Sequence, residues 1–135
     1  MRVAYALLAN AAEFSPDGKL YLLGGDFDTI NANAVPVIFP FLVIVVKFRF
    51  SQAESSYHRT LRVVPLGPNG EVMRQPIELP IQPPRSGNAE SGMGVCVHLL
   101  NVEFPVLGEY VFRVEVDGME MVQLPLRIRL VQMER

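Results

Sequence analysis

Hydrophobic and polar residues alternate with a period of two along most of this chain. The clearest case is Gly108-Glu109-Tyr110-Val111-Phe112-Arg113-Val114-Glu115-Val116-Asp117-Gly118-Met119. Tyr110, Phe112, Val114 and Val116 fall on one face, while Val111, Arg113 and Glu115 fall on the other. A half-buried strand has this period, because successive side chains point to opposite sides of the pleat. Asp117-Gly118 then predicts a type I′ turn, whose two central residues both need φ > 0, and a returning strand.

The same reading extends along the chain. Residues 2–9 predict a first strand. Ser15-Pro16-Asp17-Gly18 is a turn, with Pro16 suited to its second position and Gly18 able to take φ > 0. Leu20-Tyr21-Leu22-Leu23 returns, Gly24-Gly25 breaks the strand, and pairing resumes near Asp26 to Ile30 after a bulge. Residues 37–50 predict the longest strand. Leu42, Ile44, Val46, Phe48 and Phe50 face one way, and Val43, Val45, Lys47 and Arg49 the other, so the first half is covered on both sides and the second half on one. Pro40 lacks an amide hydrogen, so pairing is expected to begin after it. Strands follow at 57–66 and 71–79, the latter at an edge because of Pro76, with an Asn69-Gly70 turn between them.

Residues 80–92 hold Pro80, Pro83, Pro84, Gly87 and Gly92 and are expected to be extended but unpaired. A strand over 93–104 places Val95, Val97 and Leu99 opposite Cys96, His98 and Leu100. In the last strand Met119 and Met121 have odd parity, whereas Leu124, Leu126, Ile128 and Leu130 are even. One face cannot hold both sets in a regular strand, so a bulge is expected near Val122. The sum is an all-β chain: an antiparallel two-sheet sandwich of about 7–9 strands, immunoglobulin-like, in one domain over residues 1–135. Gly108-Glu109-Tyr110 resembles the tyrosine corner of that class, in which the hydroxyl bonds a nearby backbone group. Phe112 takes the place of its second cysteine, and the chain has no Trp.

Composition narrows the function more than it names it. The 135 residues are 50% hydrophobic, enough for a core that needs neither disulfide nor metal. Twelve basic and 14 acidic residues leave a net charge of −2. Without a basic excess there is no electrostatic footprint for nucleic acid, and Arg59-Thr60-Leu61-Arg62 and Arg127-Ile128-Arg129 read as solvated strand faces. The single cysteine, Cys96, allows no intrachain disulfide and fits a reducing, cytoplasmic setting. Met1-Arg2 and the small apolar residues after it have some features of an export signal, but the run is short and Tyr5 interrupts it. The apolar run over 35–46 contains Pro36 and Pro40 and is shorter than the ~18–20 residues of a membrane helix.

Four motifs, Ala6-Leu7-Leu8-Ala9-Asn10-Ala11-Ala12, Ser15-Pro16-Asp17-Gly18-Lys19-Leu20, Leu23-Gly24-Gly25-Asp26-Phe27-Asp28 and Pro105-Val106-Leu107-Gly108-Glu109-Tyr110, span most of the chain. In these the chain resembles a family of small bacterial all-β proteins with no assigned activity. The resemblance implies a fold and a bacterial source, and it carries no functional residues.

Candidate chemistry is sparse. Cys96 and His98 share a strand face, the minimum for a thiolate nucleophile, but no glycine elbow or helix N-terminus exposes the sulfur, and the pair reads instead as a small buried thiol beside a satisfied histidine. His58 could join them at zinc only if distant strands converged. Asp26, Asp28, Asn31 and Asn33, with Asp17, form an oxygen-rich segment of the kind calcium uses, without EF-hand spacing. Asp and Asn also populate loops for backbone reasons alone. Val35, Val37, Ile38, Phe39 and Phe41 enter the long strand without alternation, and Met119, Met121 and Met133 lie along the last. That surplus is either a thick core or a surface covered by self-association. The expectation is therefore a non-enzymatic protein-interaction or structural module, a homo-oligomer without cofactor, nucleic-acid or membrane partner. The alternative is a small-ligand or calcium binder using loops 26–33 and 82–92 at one end of the sandwich.

Overall fold

A computed structural model describes residues 1–54, 58–84 and 90–131. Nine strands fill the described residues: β1 (Arg2–Phe14), β2 (Leu20–Gly25), β3 (Thr29–Ala32), β4 (Val37–Phe50), β5 (Arg59–Leu66), β6 (Ile77–Ile81), β7 (Ser91–Phe104), β8 (Gly108–Val116) and β9 (Met119–Leu130). They form two sheets, in the orders β2-β1-β4-β7 and β3-β9-β8-β5-β6. The only helical piece among the described residues is a 3₁₀ turn at Gln52–Glu54. None of these residues forms a helix long and apolar enough to cross a membrane.

The core lies between the sheets, where the alternation read from the sequence places it. Leu42, Ile44, Val46, Phe48 and Phe50 of β4 meet Tyr110, Phe112, Val114 and Val116 of β8, and all are buried. Val95, Val97 and Leu99 of β7 join them. Asp117 and Gly118 both have positive φ, 51° and 79°, as the type I′ turn requires. The expected bulge is present. Val114 pairs with Val122 but Glu115 pairs with Glu120, so Met121 is the extra residue that brings both parities of β9 into register.

Several expectations need correction. The chain is not wholly antiparallel: after β2 it crosses to the other sheet, and β3 pairs with β9 in parallel, Thr29 to Arg127 through Ala32 to Leu130. The residues around Asp26 therefore do not resume the β1–β2 hairpin. Asp26, at φ 60°, donates its amide to the Leu8 carbonyl at 2.7 Å and turns the chain out of the sheet. Pro40 does not delay pairing, because β4 is already bonded to β7 at Val37 and Phe104. Both strands change phase together there: Pro40 and Phe41 are exposed in succession, as are Leu100 and Asn101. Asn101, at φ 51°, stands across from the proline that cannot donate. β1 runs on to Phe14, beyond the nine residues expected, because its second half pairs with β2. Residues 71–76 hold only a bridge from Val72 to Leu66, and the strand forms at Ile77–Ile81 instead, with Pro80 opposite Thr60. In the preceding turn only Gly70 has positive φ, and its amide donates to the Gly67 carbonyl at 2.9 Å. Tyr57 and Met133 lie outside the described residues.

Candidate functional site

β1 has two partners in turn. Residues 2–9 pair with β4 and residues 9–14 with β2, so the far half of the sheet curls into a half-barrel over its own outer face. The curl makes a second small core: Val43 and Val45 of β4 are buried under Ala9 and Ala12, with Leu7, Phe14, Leu20 and Cys96 around them. Two glycines allow the close approach. A Cβ on Gly94 would lie 2.3 Å from the Phe14 ring, and one on Gly92 would lie 2.9 Å from the Lys47 side chain. The Lys47 ammonium is 5.9 Å from the centre of the Phe14 ring, a cation–π distance.

The cover is partial. Toward the phase change at Pro40 a cleft of about 660 Å³ remains open, lined by Ala12, Leu23, Phe41, Val43, His98 and Leu100. Phe41 is 62% exposed, Leu100 59% and Leu23 72%. Three large apolar side chains thus surround one concavity whose polar groups are few. An arrangement of this kind recognises apolar surface and offers little to a charged substrate. Ile38 is also exposed, so the first half of β4 is not covered on both sides; the covered stretch is Val43 to Val45.

Cys96 and His98 do share this outer face, opposite Val45 and Val43. Cys96 is half-buried, and burial, reinforced by Glu13, pushes its thiol above the ordinary range. That shift disfavours the thiolate a nucleophile needs. His98 is exposed at the cleft wall. His58 precedes β5 in the other sheet.

The oxygen-rich segment is not an open loop. Thr29–Ala32 is β3, and it places its oxygens beside arginines. Asn31 Oδ1 accepts from Arg129 Nε at 3.1 Å and Nη2 at 3.0 Å. The Asp28 carbonyl accepts the Arg127 amide at 2.8 Å, and its carboxylate accepts the Thr29 hydroxyl at 3.0 Å. Asp26 and Asn33 are exposed at either end. Among the described residues no three His, Cys, Asp or Glu side chains converge as a metal site would require. Among the described residues, 26–33 and 82–84 do not share one end of the sandwich. β3 borders β9 near Ile128, which pairs with the start of β8 at Gly108, whereas residue 82 follows Ile81, paired with Arg59 beside the Asp117 turn. Residues 85–89 lie outside the described residues.

Three arginines of the two runs are paired with carboxylates, and the fourth, Arg129, with Asn31. Arg59 meets Asp117 at 3.5 Å, Arg62 meets Glu78 and Glu115 at 3.4 Å each, and Arg127 meets Glu109. Tyr110, 1% exposed, donates its hydroxyl to the Val106 carbonyl at 2.6 Å and accepts the Val106 amide at 3.2 Å. Its ring meets Phe104 edge to face at 4.8 Å.

The chain matches the family of unknown function DUF6941 over residues 4–129. It belongs to that family. The match covers both sheets from within β1 to within β9, curled hairpin included. No curated protein matches the chain. The sequence reading missed the apolar cleft and the two bare glycines. The available signal was Gly92 and Gly94 at a spacing of two on a strand with a fully apolar opposite face.

Proposed function

We propose that this DUF6941 chain is a non-enzymatic, immunoglobulin-like sandwich that works by protein contact and associates with copies of itself. The observation that carries the reading is the apolar outer face of the β4–β7 half of its sheet. Phe41, Leu100 and Leu23 are exposed together around one concavity, and contiguous apolar surface of this kind is costly to leave in water. The raised Cys96 thiol supports a role without covalent catalysis. The strand order supports the immunoglobulin-like assignment. With β4 and β7 as strands B and E, and β5, β8 and β9 as C, F and G, the orders β1-β4-β7 and β9-β8-β5 correspond to A-B-E and G-F-C. Tyr110 at the start of β8 occupies the place of the tyrosine corner.

Light scattering over a concentration series tests the self-association. A mass at or above twice that of the monomer is expected, and a monomer at every concentration refutes it. The cleft favours a second reading, an uncharged apolar ligand held between Phe41, Leu100 and Leu23, since its volume lies in the range of small-molecule sites. A thermal-shift series with alkyl and aromatic probes would raise the melting temperature of the native chain and leave a Phe41→Arg variant, altered at an exposed cleft residue, unmoved. No shift with any probe refutes this second reading.

A further inference from the structure

β7 is an edge strand 14 residues long, paired on one side with β4 and on the other, among the described residues, with no strand. Proteins normally blunt such an edge with charge, proline or brevity. The short edge strand β6 follows this rule, with Pro76 before it and Pro80 within it. β7 does not. From Ser91 to Val102 there is no Lys, Arg, Asp, Glu or Pro. Its regular stretch ends at Asn101, where φ is 51°, and the Leu100 carbonyl is already taken by Arg74 Nη1 at 3.4 Å.

We infer that the partner in this self-association is a second copy docked edge to edge, β7 antiparallel to β7, with the two-fold axis at Cys96. The inference rests on the self-association proposed above and places its contact at the β7 edge bordering that apolar face, where it covers Leu100. The outer face of β7 reads Gly92, Gly94, Cys96, His98, Leu100: bare at one end, bulky at the other. An antiparallel copy centred on Cys96 sets Leu100 against the partner's Gly92 and His98 against the partner's Gly94. His98 thus packs on the partner's Phe14 ring, which lies over its Gly94, and Leu100 on the aliphatic stems of the partner's Lys47 and Arg49, which lie across its Gly92. On the inner face Met93 meets the partner's Leu99, and Val95 meets the partner's Val97, so apolar residues face apolar residues throughout. Ser91 and Asn101, the two ends of the regular stretch, are equidistant from Cys96. A two-fold axis needs such self-complementarity, since every contact occurs twice. The product is one continuous eight-stranded sheet, with the edge backbone groups from Gly94 to His98 of both copies paired and the exposed Leu100 covered.

The geometry supplies its own probe. Cys96 is the only cysteine, and directly opposed residues of an antiparallel pair bring their Cβ atoms to about 5 Å. The short thiol–thiol crosslinker dibromobimane should join two native chains at Cys96. Leu100→Lys is the disrupting variant. Leu100 is 59% exposed in the single chain, so the fold tolerates a lysine. In the dimer that lysine would meet the Lys47 and Arg49 side chains that lie across the partner's Gly92. The expected result is at least a tenfold rise in the dimer dissociation constant with unchanged circular dichroism, and loss of the crosslink. In the wild type, amide exchange over 92–100 should slow as concentration rises. A dimer that keeps its dissociation constant in Leu100→Lys, or shows no concentration-dependent protection at 92–100, overturns the β7 interface and leaves self-association standing. A monomer throughout overturns both.

Discussion

Removing the Tyr110 hydroxyl, Tyr110→Phe, is the most direct test of what holds the corner before β8. The residue is 1% exposed and its ring stacks edge to face on Phe104 at 4.8 Å, so phenylalanine preserves the apolar contact. What is lost is a pair of bonds to one residue: the hydroxyl donates to the Val106 carbonyl at 2.6 Å and accepts its amide at 3.2 Å. A neutral hydrogen bond contributes about 1 kcal/mol net, and a buried group left unpaired costs about 1–3 kcal/mol more. Here the second cost is small, because Val106 is 50% exposed and water can reach both of its freed groups. The estimate is therefore about 1.5 kcal/mol, or a fall in Tm of roughly 5 °C for a chain of this length. Urea unfolding should show a lower midpoint with the same slope, since the surface exposed on unfolding is unchanged. A loss below about 0.3 kcal/mol would mean that the hydroxyl is as well satisfied in the unfolded chain, and the tether argument would fail.

Gly94→Ala places a Cβ 2.3 Å from the Phe14 ring and should destabilise by about 1–3 kcal/mol; Phe14→Ala in the same chain should recover part of that loss in a double-mutant cycle, and strict additivity would refute the contact. Gly118→Ala has open space around the new carbon but keeps φ at 79°, so a loss of about 1 kcal/mol by urea unfolding should arise from the backbone alone. Glu54 accepts from the Met1 ammonium at 2.6 Å through both oxygens, and that bond, with the Ser51 amide, holds its carboxyl at about 2, below its usual 4.5. A depressed carboxylate stabilises the fold fully above its unfolded value, and the contribution disappears as pH falls from about 4.5 to about 2. After discounting for solvent, since the side chain is 27% exposed, the loss is about 1–2 kcal/mol, and Glu54→Gln should flatten that part of the stability–pH curve; an unchanged slope would refute the pairing.

The sequence by itself determined the class of this fold and the contents of its core. Period-two alternation is a local property, so Leu42 to Phe50 and Tyr110 to Val116 could each be assigned to one face without knowing their partners, whereas β7, apolar on both faces, left its buried side open. The Asp117-Gly118 turn and the bulge beside Val122 were legible for the same reason: each is dictated by a backbone angle or a parity that a few neighbouring residues reveal. The placement of β3 was not. Nothing in Thr29 to Ala32 says that it pairs in parallel with β9, because a parallel partner is joined by no turn and leaves no local mark. The half-barrel was hidden likewise. Whether Val43 and Val45 are covered by solvent, by the β1–β2 hairpin or by another chain depends on where β1 bends. That bend depends in turn on Gly92 and Gly94 admitting Lys47 and Phe14 from strands far away in sequence. The oxygen-rich segment looked like a loop because Asp and Asn favour loops, yet Asn31 is tied to Arg129 across 98 positions. Tertiary structure alone decided which apolar residues of β4 and β7 stay exposed, since exposure is a property of the two sheets together and of what the curled hairpin leaves uncovered.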